Sequence, residues 1–455
     1  MTKIKPFEHQ QRAIDLFGNT DQILAHEMGL GKTLTSAFIG KDHKCLVVCP
    51  AKLKKSWVAE LDKIEEESVQ VIETAKDQIE SKNWTIVSYD ITPKILEKLL
   101  HERFDKLFLD ESHYIKGKFR VLKNGKITGI QRAGASVQLA ESIPHVILTT
   151  GTPIMNKPIE LWNQLLAVGA PITRQMTRME FSKRYCGGKL KTMGRFRFWW
   201  EGGASHLEEL RDKIQGSIDV VRKADVLDLP EKVYTRKLVE LSADERKEYN
   251  GVWREYLAEI AKNPELSKRK IEDILDAQDL VEGQKLEQIA SKVKAKQVID
   301  DLQNLGPGDS LVIFTQWVET LEMINSAIEE MAKKQKKEQS DWVISYSTIK
   351  QDGSVEKFQR GEVQIFTSNI VAGGTGLNLQ KLCNNLWIVD ENWNPGINQQ
   401  AEDRIHRIGQ EKSAFITYYE ADDTIDQVKK KSNIRKRKVA DKLLSTPKGD
   451  KATCK

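Results

Sequence analysis

The run Ala25-His26-Glu27-Met28-Gly29-Leu30-Gly31-Lys32-Thr33 follows a short apolar stretch, Ile23-Leu24, and leads into a segment of helical character. A strand that turns through glycines into Gly-Lys-Thr and a helix constrains the fold strongly. It is the first unit of a parallel sheet with crossover helices. Glycines let the backbone approach a polyphosphate, and the N–H groups at the helix start point at it. In that layout Gly29 and Gly31 shape the loop, Lys32 reaches the β/γ-phosphates and Thr33 offers a hydroxyl to Mg²⁺. The strict pattern places a glycine six residues before the lysine; this chain has His26 there. A glycine-rich turn that binds nothing is the alternative.

Two further elements bear on the choice. Lys106-Leu107-Phe108-Leu109 reads as a buried strand, and it ends in Asp110-Glu111-Ser112-His113. Adjacent carboxylates at the carboxyl end of a parallel strand sit where α/β folds bind ligands. One of the two can hold Mg²⁺ through water while the other polarises the attacking water. A solvated turn or helix cap is the competing reading. Near the other end, Gln400 to Gln410 has helical character up to Gly409. Gln400, Arg404 and Arg407 then share one helix face. Two arginines and a glutamine so placed can clamp a γ-phosphate, although a salt-bridged surface helix has the same pattern.

From Phe7 to about Leu166, strand-like runs alternate with helical stretches: Ile23–Ala25, Cys45–Val48, Trp84–Val87 and Val146–Leu148. This argues a doubly wound parallel sheet over residues 1–166. From about Ala167 the pattern breaks. Residues 167–305 hold a basic, aromatic insertion, a linker ending at Leu229-Pro230, and charged helical stretches over 242–303 expected as projecting hairpins. A second alternation starts after Gly306-Pro307-Gly308 and runs to 445, with strands at Ser310–Phe314, Gln364–Thr367 and Leu386–Asp390. Residues 446–455 form a polar tail. The expected fold class is α/β, with two doubly wound parallel-sheet lobes and helical insertions.

Composition excludes several classes. A chain of 455 residues suits two or three domains, with 39% hydrophobic and 7% aromatic residues. No apolar run is long enough to span a bilayer. The five cysteines form no Cys-x-x-Cys pair, which argues against zinc fingers and a disulfide framework and for a reducing intracellular setting. Cys45 and Cys49 lie in a strand-like run and read as core. The net charge of +5 is modest, but Arg174 to Arg197 holds eight basic residues against Glu180 alone. Phe181, Tyr185, Phe196, Phe198, Trp199 and Trp200 lie among or beside them. Such interleaving suits a phosphate backbone, or else a solvated loop with a few core aromatics. The second basic run, Lys429 to Lys438, reads as an ordinary solvent-facing C-terminal helix.

The blocks Phe7–Gln10, Glu27–Thr33, Val48–Trp57, Asp110–His113, Thr150–Trp162, Val312–Trp317, Ala372–Leu379 and Gln400–Gln410 stand in one order along the chain. In these the chain resembles the Swi/Snf-type DNA translocases of helicase superfamily two, from about Phe7 to Ile425. The most specific are Gly373 to Leu379, Asn392-Trp393-Asn394-Pro395 and His406 to Gln410. Asp-Glu-Ser-His, Arg184-Tyr185-Cys186 and Gly151 to Met155 are most similar to the annealing-helicase branch.

The resemblance implies two RecA-like lobes and an ATP- and Mg²⁺-dependent hydrolase. It implies Gln10, helped by Phe7, at the adenine edge, Glu111 orienting or activating the attacking water, Asp110 at the metal, and Gly376 and Gln400 as further nucleotide contacts. Gly151 and Thr152 would couple the nucleotide to a DNA groove. Lys52, Trp57, Ser88, Thr315, Gln316 and Asn378 would face the nucleic-acid backbone. The implied partner is DNA, duplex or branched and read without sequence preference, engaged by a monomer away from any membrane. Two features depart from the family pattern. His26 replaces the acid that commonly precedes Glu27, and Tyr346 to Phe358 is short and lacks an arginine. With no chromatin-reading, zinc or nuclease module attached, the expected setting is a bacterial or phage-host cytoplasm. The rival classes are a strand-separating DNA or RNA helicase and a non-enzymatic DNA-binding module.

Overall fold

Strands buried on both faces read as continuous apolar runs, with alternate residues feeding opposite layers. The first sheet follows that rule. Ile23 and Ala25, Leu46 and Val48, and Leu107 and Leu109 enter one core cluster. Leu24, Cys45, Val47, Cys49 and Phe108 enter the other. The computed structural model describes residues 4–445 except 19, 123–126, 194–195, 264–265, 268–269, 278–280, 350, 352 and 374–376. The chain divides into two units, one of residues 1–191, 199–227 and 438–455, the other of residues 192–198 and 228–437.

In chain order the first unit carries β1 (Gln22–His26), β2 (Cys45–Cys49), β3 (Val69–Val71), β4 (Trp84–Ser88), β5 (Lys106–Asp110), the hairpin β6 (Phe119–Val121) and β7 (Ile127–Gly129), and β8 (His145–Thr149). After the paired strands β9 (Lys189–Met193) and β10 (Phe196–Trp200) comes β11 (Ile218–Val221). The seven-stranded sheet has the order β11-β1-β8-β5-β2-β4-β3, and every adjacent pair is parallel. Helix α1 (Glu8–Phe17) precedes β1, and α2 (Lys32–Gly40) follows it.

The second unit has a six-stranded parallel sheet of order β12-β17-β16-β13-β15-β14. Its strands are β12 (Lys232–Val239), β13 (Leu311–Thr315), β14 (Tyr346–Thr348), β15 (Ile365–Asn369), β16 (Asn385–Ile388) and β17 (Ala414–Ala421). The helix Val281–Leu302 is not a free protrusion. Its Val293, Ala295, Val298 and Leu302 enter one core cluster of this unit. Leu286 joins Tyr249, Tyr256 and Trp393 in another.

The helix Ile425–Leu443 corrects the reading of a solvent-facing basic helix. Lys429 is buried and paired with Glu287 at 2.7 Å, and buried Lys436 donates to the Trp393 carbonyl. Lys430 pairs with Glu420 at 3.0 Å. Carboxylates from other elements neutralise cations that solvent would otherwise claim.

Candidate nucleotide site and nucleic-acid contacts

Adjacent strands β1, β8 and β5 end together, and their carboxyl ends carry the phosphate loop, the Thr150–Pro153 segment and the acidic pair. This is where a parallel sheet offers a ligand its crevice. The loop needs left-handed backbone at Gly29 (φ 87°) and Gly31 (φ 71°). A Cβ on Gly31 would sit 2.4 Å from Gln10 Nε2, so this glycine permits a close approach of α1 to the loop. Lys32, in the first turn of α2, donates to the carbonyls of His26 at 2.8 Å and Glu27 at 3.3 Å. Thr33 is half-buried beside it. Gln10 is buried; its Nε2 donates to the Gly31 carbonyl at 3.2 Å, and its Oε1 accepts from the Phe7 N–H at 2.9 Å. Its amide braces the loop from behind.

Asp110 accepts from Trp57 Nε1 at 2.8 Å, Thr149 Oγ1 at 2.7 Å and the Glu111 N–H at 2.9 Å. Burial, and then the neighbouring Glu111 charge, raise its carboxyl above the usual range despite these bonds. Glu111 holds a left-handed backbone (φ 51°), uncommon for a residue with a Cβ. Its Oε2 lies 3.3 Å from His113 Nδ1, which is 3.4 Å from Thr150 Oγ1. That hydroxyl accepts from the Thr152 N–H at 3.1 Å. In parallel, Ser112 donates to Gln164 at 2.8 Å, and Gln164 donates to the Pro153 carbonyl at 2.8 Å. A Cβ on Gly151 would lie 2.8 Å from Met28 Cγ. Loop, acidic pair and Gly-Thr-Pro segment therefore meet at one junction. The buried carboxylate pair and the glycine loop fit a divalent cation with a polyphosphate, because a cation offsets both the burial and the Glu111 charge that lift the Asp110 carboxyl.

In the second unit the helix Pro395–Glu402 starts from an Asn394 cap that accepts from the Gly396 N–H at 3.0 Å. It stops at Glu402, not Gly409, so the helix-face argument for Gln400, Arg404 and Arg407 is corrected. Tertiary contacts override helical propensity here. Buried Glu402 accepts from Lys232 at 3.0 Å, Tyr234 at 2.7 Å and Tyr418 at 2.6 Å. His406 contacts the Pro230 carbonyl at 2.7 Å. Burial alone would depress the Lys232 ammonium, but Asp403 and Glu402 carry it well above its ordinary range. The arginines converge nonetheless. Buried Arg404 donates to the Leu377 carbonyl at 3.0 Å and the Gln400 carbonyl at 3.0 Å. Arg407 donates to the same Leu377 carbonyl and to Asn378 Oδ1. Gln400 is buried, and Gly376 lies outside the described residues.

The expected nucleic-acid contacts divide. Lys52 and Asn378 are exposed, and Gln316 is half-buried. Trp57, Ser88 and Thr315 are buried and do not face solvent. Trp57 serves Asp110, and Thr315 donates to buried Asp390. Sequence reasoning missed Asp219, Asp390 and Glu402. Asp219 and Asp390 are acids in or beside an apolar run, such as Ser217-Ile218-Asp219-Val220-Val221, and that interruption was the available signal; Glu402, between Ala401 and Asp403, carried none. Among the described residues no helix is long and apolar enough to cross a membrane. Cys45, Cys49, Cys186 and Cys383 are free and buried, and burial pushes the Cys186 thiol up to about 12.

The SNF2-related domain matches residues 9–292, and the helicase conserved C-terminal domain matches residues 293–409. The chain is 28% identical to the mouse (Mus musculus) DNA annealing helicase and endonuclease ZRANB3, over 94% of this chain and 39% of the relative. It is 31% identical to the Xenopus tropicalis SWI/SNF-related matrix-associated actin-dependent regulator of chromatin subfamily A-like protein 1, over 89% of this chain and 41% of the relative. Among solved structures, the Pyrococcus furiosus Hef helicase domain shares the fold, with a TM-score of 0.51 at 13% identity over 94% of this chain and 98% of that one. The chain thus spans about two fifths of the length of these curated relatives.

The relatives overturn the expectation of a bacterial or phage-host cytoplasm. They come from animals, and the frog protein's name refers to chromatin. The expectation rested on the bareness of the chain, and a match to part of longer proteins removes that ground. With the domain match covering most of the chain and both parallel-sheet lobes in place, the chain belongs to the SNF2-related family of helicase-like ATPases.

Proposed function

We propose that the protein couples ATP hydrolysis to movement on duplex or branched DNA, without sequence preference and as a monomer. Annealing, fork remodelling or displacement of bound proteins would follow from that movement. The observation that carries this reading is the cluster of Glu111, His113, Thr150 and the Thr152 N–H. It places Glu111, read as the residue beside the reacting phosphate, within 3.3 Å of the same His113 Nδ1 that meets Thr150, and so in close contact with the Gly151-Thr152 segment, which the family resemblance assigns to the DNA side.

In this reading Gly29, Gly31 and Lys32 bind the phosphates, and Gln10 holds the loop that carries them. The Gln10 amide is engaged with backbone here, so an adenine contact requires it to exchange partners. Thr33 and Asp110 would hold Mg²⁺, Asp110 through water, because the Asp110 oxygens already accept from Trp57, Thr149 and Glu111. When bound, the ion neutralises charge on the phosphate oxygens. Glu111 orients the attacking water and takes its proton. Arg404 and Arg407 supply guanidinium charge for the transferred phosphoryl group. Lys52, Gln316 and Asn378 contact the nucleic-acid backbone, where phosphate contacts position a protein without reading sequence.

The test is steady-state ATP turnover with duplex DNA, branched DNA, single-stranded DNA and RNA side by side. Stimulation by duplex or branched DNA is expected. Stimulation by single strands or RNA alone would point to a strand-separating helicase. Indifference to every nucleic acid would overturn the reading.

A further inference from the structure

Behind the phosphate loop lies a buried polar cluster that the nucleotide chemistry does not use. His26, the last residue of β1, is fully buried, and its Nε2 lies 2.8 Å from Asp219 Oδ2. Asp219 sits inside the edge strand β11, beside Leu24 and two residues before His26's own register partner, Val221. The other Asp219 oxygen meets Arg12 of α1 at 3.0 Å. His9, one helical turn earlier, contacts the Leu30 carbonyl at 3.0 Å. Burial depresses the His26 imidazole below its ordinary value despite the carboxylate. The neutral ring therefore keeps its proton on Nε2, the nitrogen facing Asp219. The same strand continues into the loop's neighbourhood. The Val221 carbonyl accepts from the Glu27 N–H at 2.9 Å, and the Glu27 carboxylate accepts from the Lys223 N–H at 2.8 Å.

We propose that Asp219 is a positioning residue for the phosphate loop, acting through His26, and that this contact ties the nucleotide site to the segment that leaves the first unit. The inference rests on the ATPase reading above. Lys32 donates to the His26 and Glu27 carbonyls, so the place of residues 26 and 27 sets the place of the lysine. Asp219 fixes residue 26 through its ring, and Lys223 fixes residue 27 through its carboxylate. A family pattern with an acid at position 26 would set two carboxylates against each other here. The histidine and Asp219 therefore form a matched pair in this chain.

The experiment measures ATP turnover and binding of a fluorescent ATP analogue, with thermal melting, for Asp219→Ala, His26→Leu and His26→Gln in the full chain. Outer partners of a binding site typically change affinity by about 10- to 100-fold. Asp219→Ala and His26→Leu should therefore raise KM and the analogue Kd by about tenfold or more, with kcat changed far less. His26→Gln, whose amide can still donate to Asp219, should recover most of that loss. A purely structural role would lower the melting temperature while leaving KM alone, and that result overturns the proposal. Equal KM for His26→Leu and His26→Gln overturns it as well. If Asp219→Ala does not fold, the two His26 variants decide the matter, since both leave the Arg12–Asp219 pair intact. Wild-type protein that hydrolyses no ATP would instead sink the ATPase reading on which the inference stands.

Discussion

A glutamate in left-handed backbone, directly after an aspartate that accepts three hydrogen bonds, is the most specific residue-scale feature of the first unit. Glu111→Gln keeps the shape and removes the base. ATP binding should persist while turnover falls by about 10²- to 10⁴-fold. Collapse of ATP affinity with unchanged turnover per bound ATP would assign Glu111 to binding. Lys32→Ala should abolish turnover by removing charge from the developing phosphate oxygens; a normal rate would refute the site. His26 gives a pH prediction. Its folded value is lowered, so between that value and about 6.5 the unfolded chain binds a proton that the folded one does not. Stability is full above about 6.5 and falls as pH drops below it. Melting temperatures at pH 7.5 and 5.5 should therefore differ less for His26→Gln than for wild type. The meeting of the Lys32 loop with Asp110 and Glu111 was legible, because both follow parallel strands whose carboxyl ends share one crevice. Trp57 was not, since nothing local distinguishes an indole that faces DNA from one that donates to a buried carboxylate.

At the scale of elements, the central strands were read nearly to the residue, because burial on both faces leaves a continuous apolar run, whereas β3, β11, β12, β14 and β17 were not read. Helix ends were read less well. The stretch after Glu402 looks helical in isolation, but contacts from Lys232, Tyr234 and Tyr418 to Glu402, and from His406 to Pro230, turn the chain out of the helix. These partners lie more than 150 residues away or on another strand, out of reach of any local window. The basic helix Ile425–Leu443 fails for the same reason, since Glu287 and Glu420 neutralise it from elsewhere. The arginines now separate. Arg404→Ala and Arg407→Ala should each lower turnover by about 10³-fold if both act as phosphate-directed fingers. Only Arg404, buried and bonded to two carbonyls, should also cost stability, by about 1–3 kcal/mol. Parallel melting and steady-state rates check this. Unchanged rates in both variants would make the segment a structural turn.

For the whole molecule, the two parallel sheets were legible from the two separate alternations of strand and helix. The integration of Val281–Leu302 into the second unit was not, because charged residues on its outer face mask the apolar side that packs. A motor that grips phosphates should lose DNA affinity steeply between about 50 and 200 mM salt; affinity flat with salt would argue against backbone contacts. The central claim is that hydrolysis moves the protein along duplex DNA. Displacement of a third strand from a DNA triplex tests it most directly, because a translocating motor strips that strand without unwinding the duplex. Wild-type protein should release the strand with ATP, and not with a non-hydrolysable analogue or as Glu111→Gln. A wild-type protein that hydrolyses ATP in the presence of duplex DNA yet leaves the triplex intact would contradict the account.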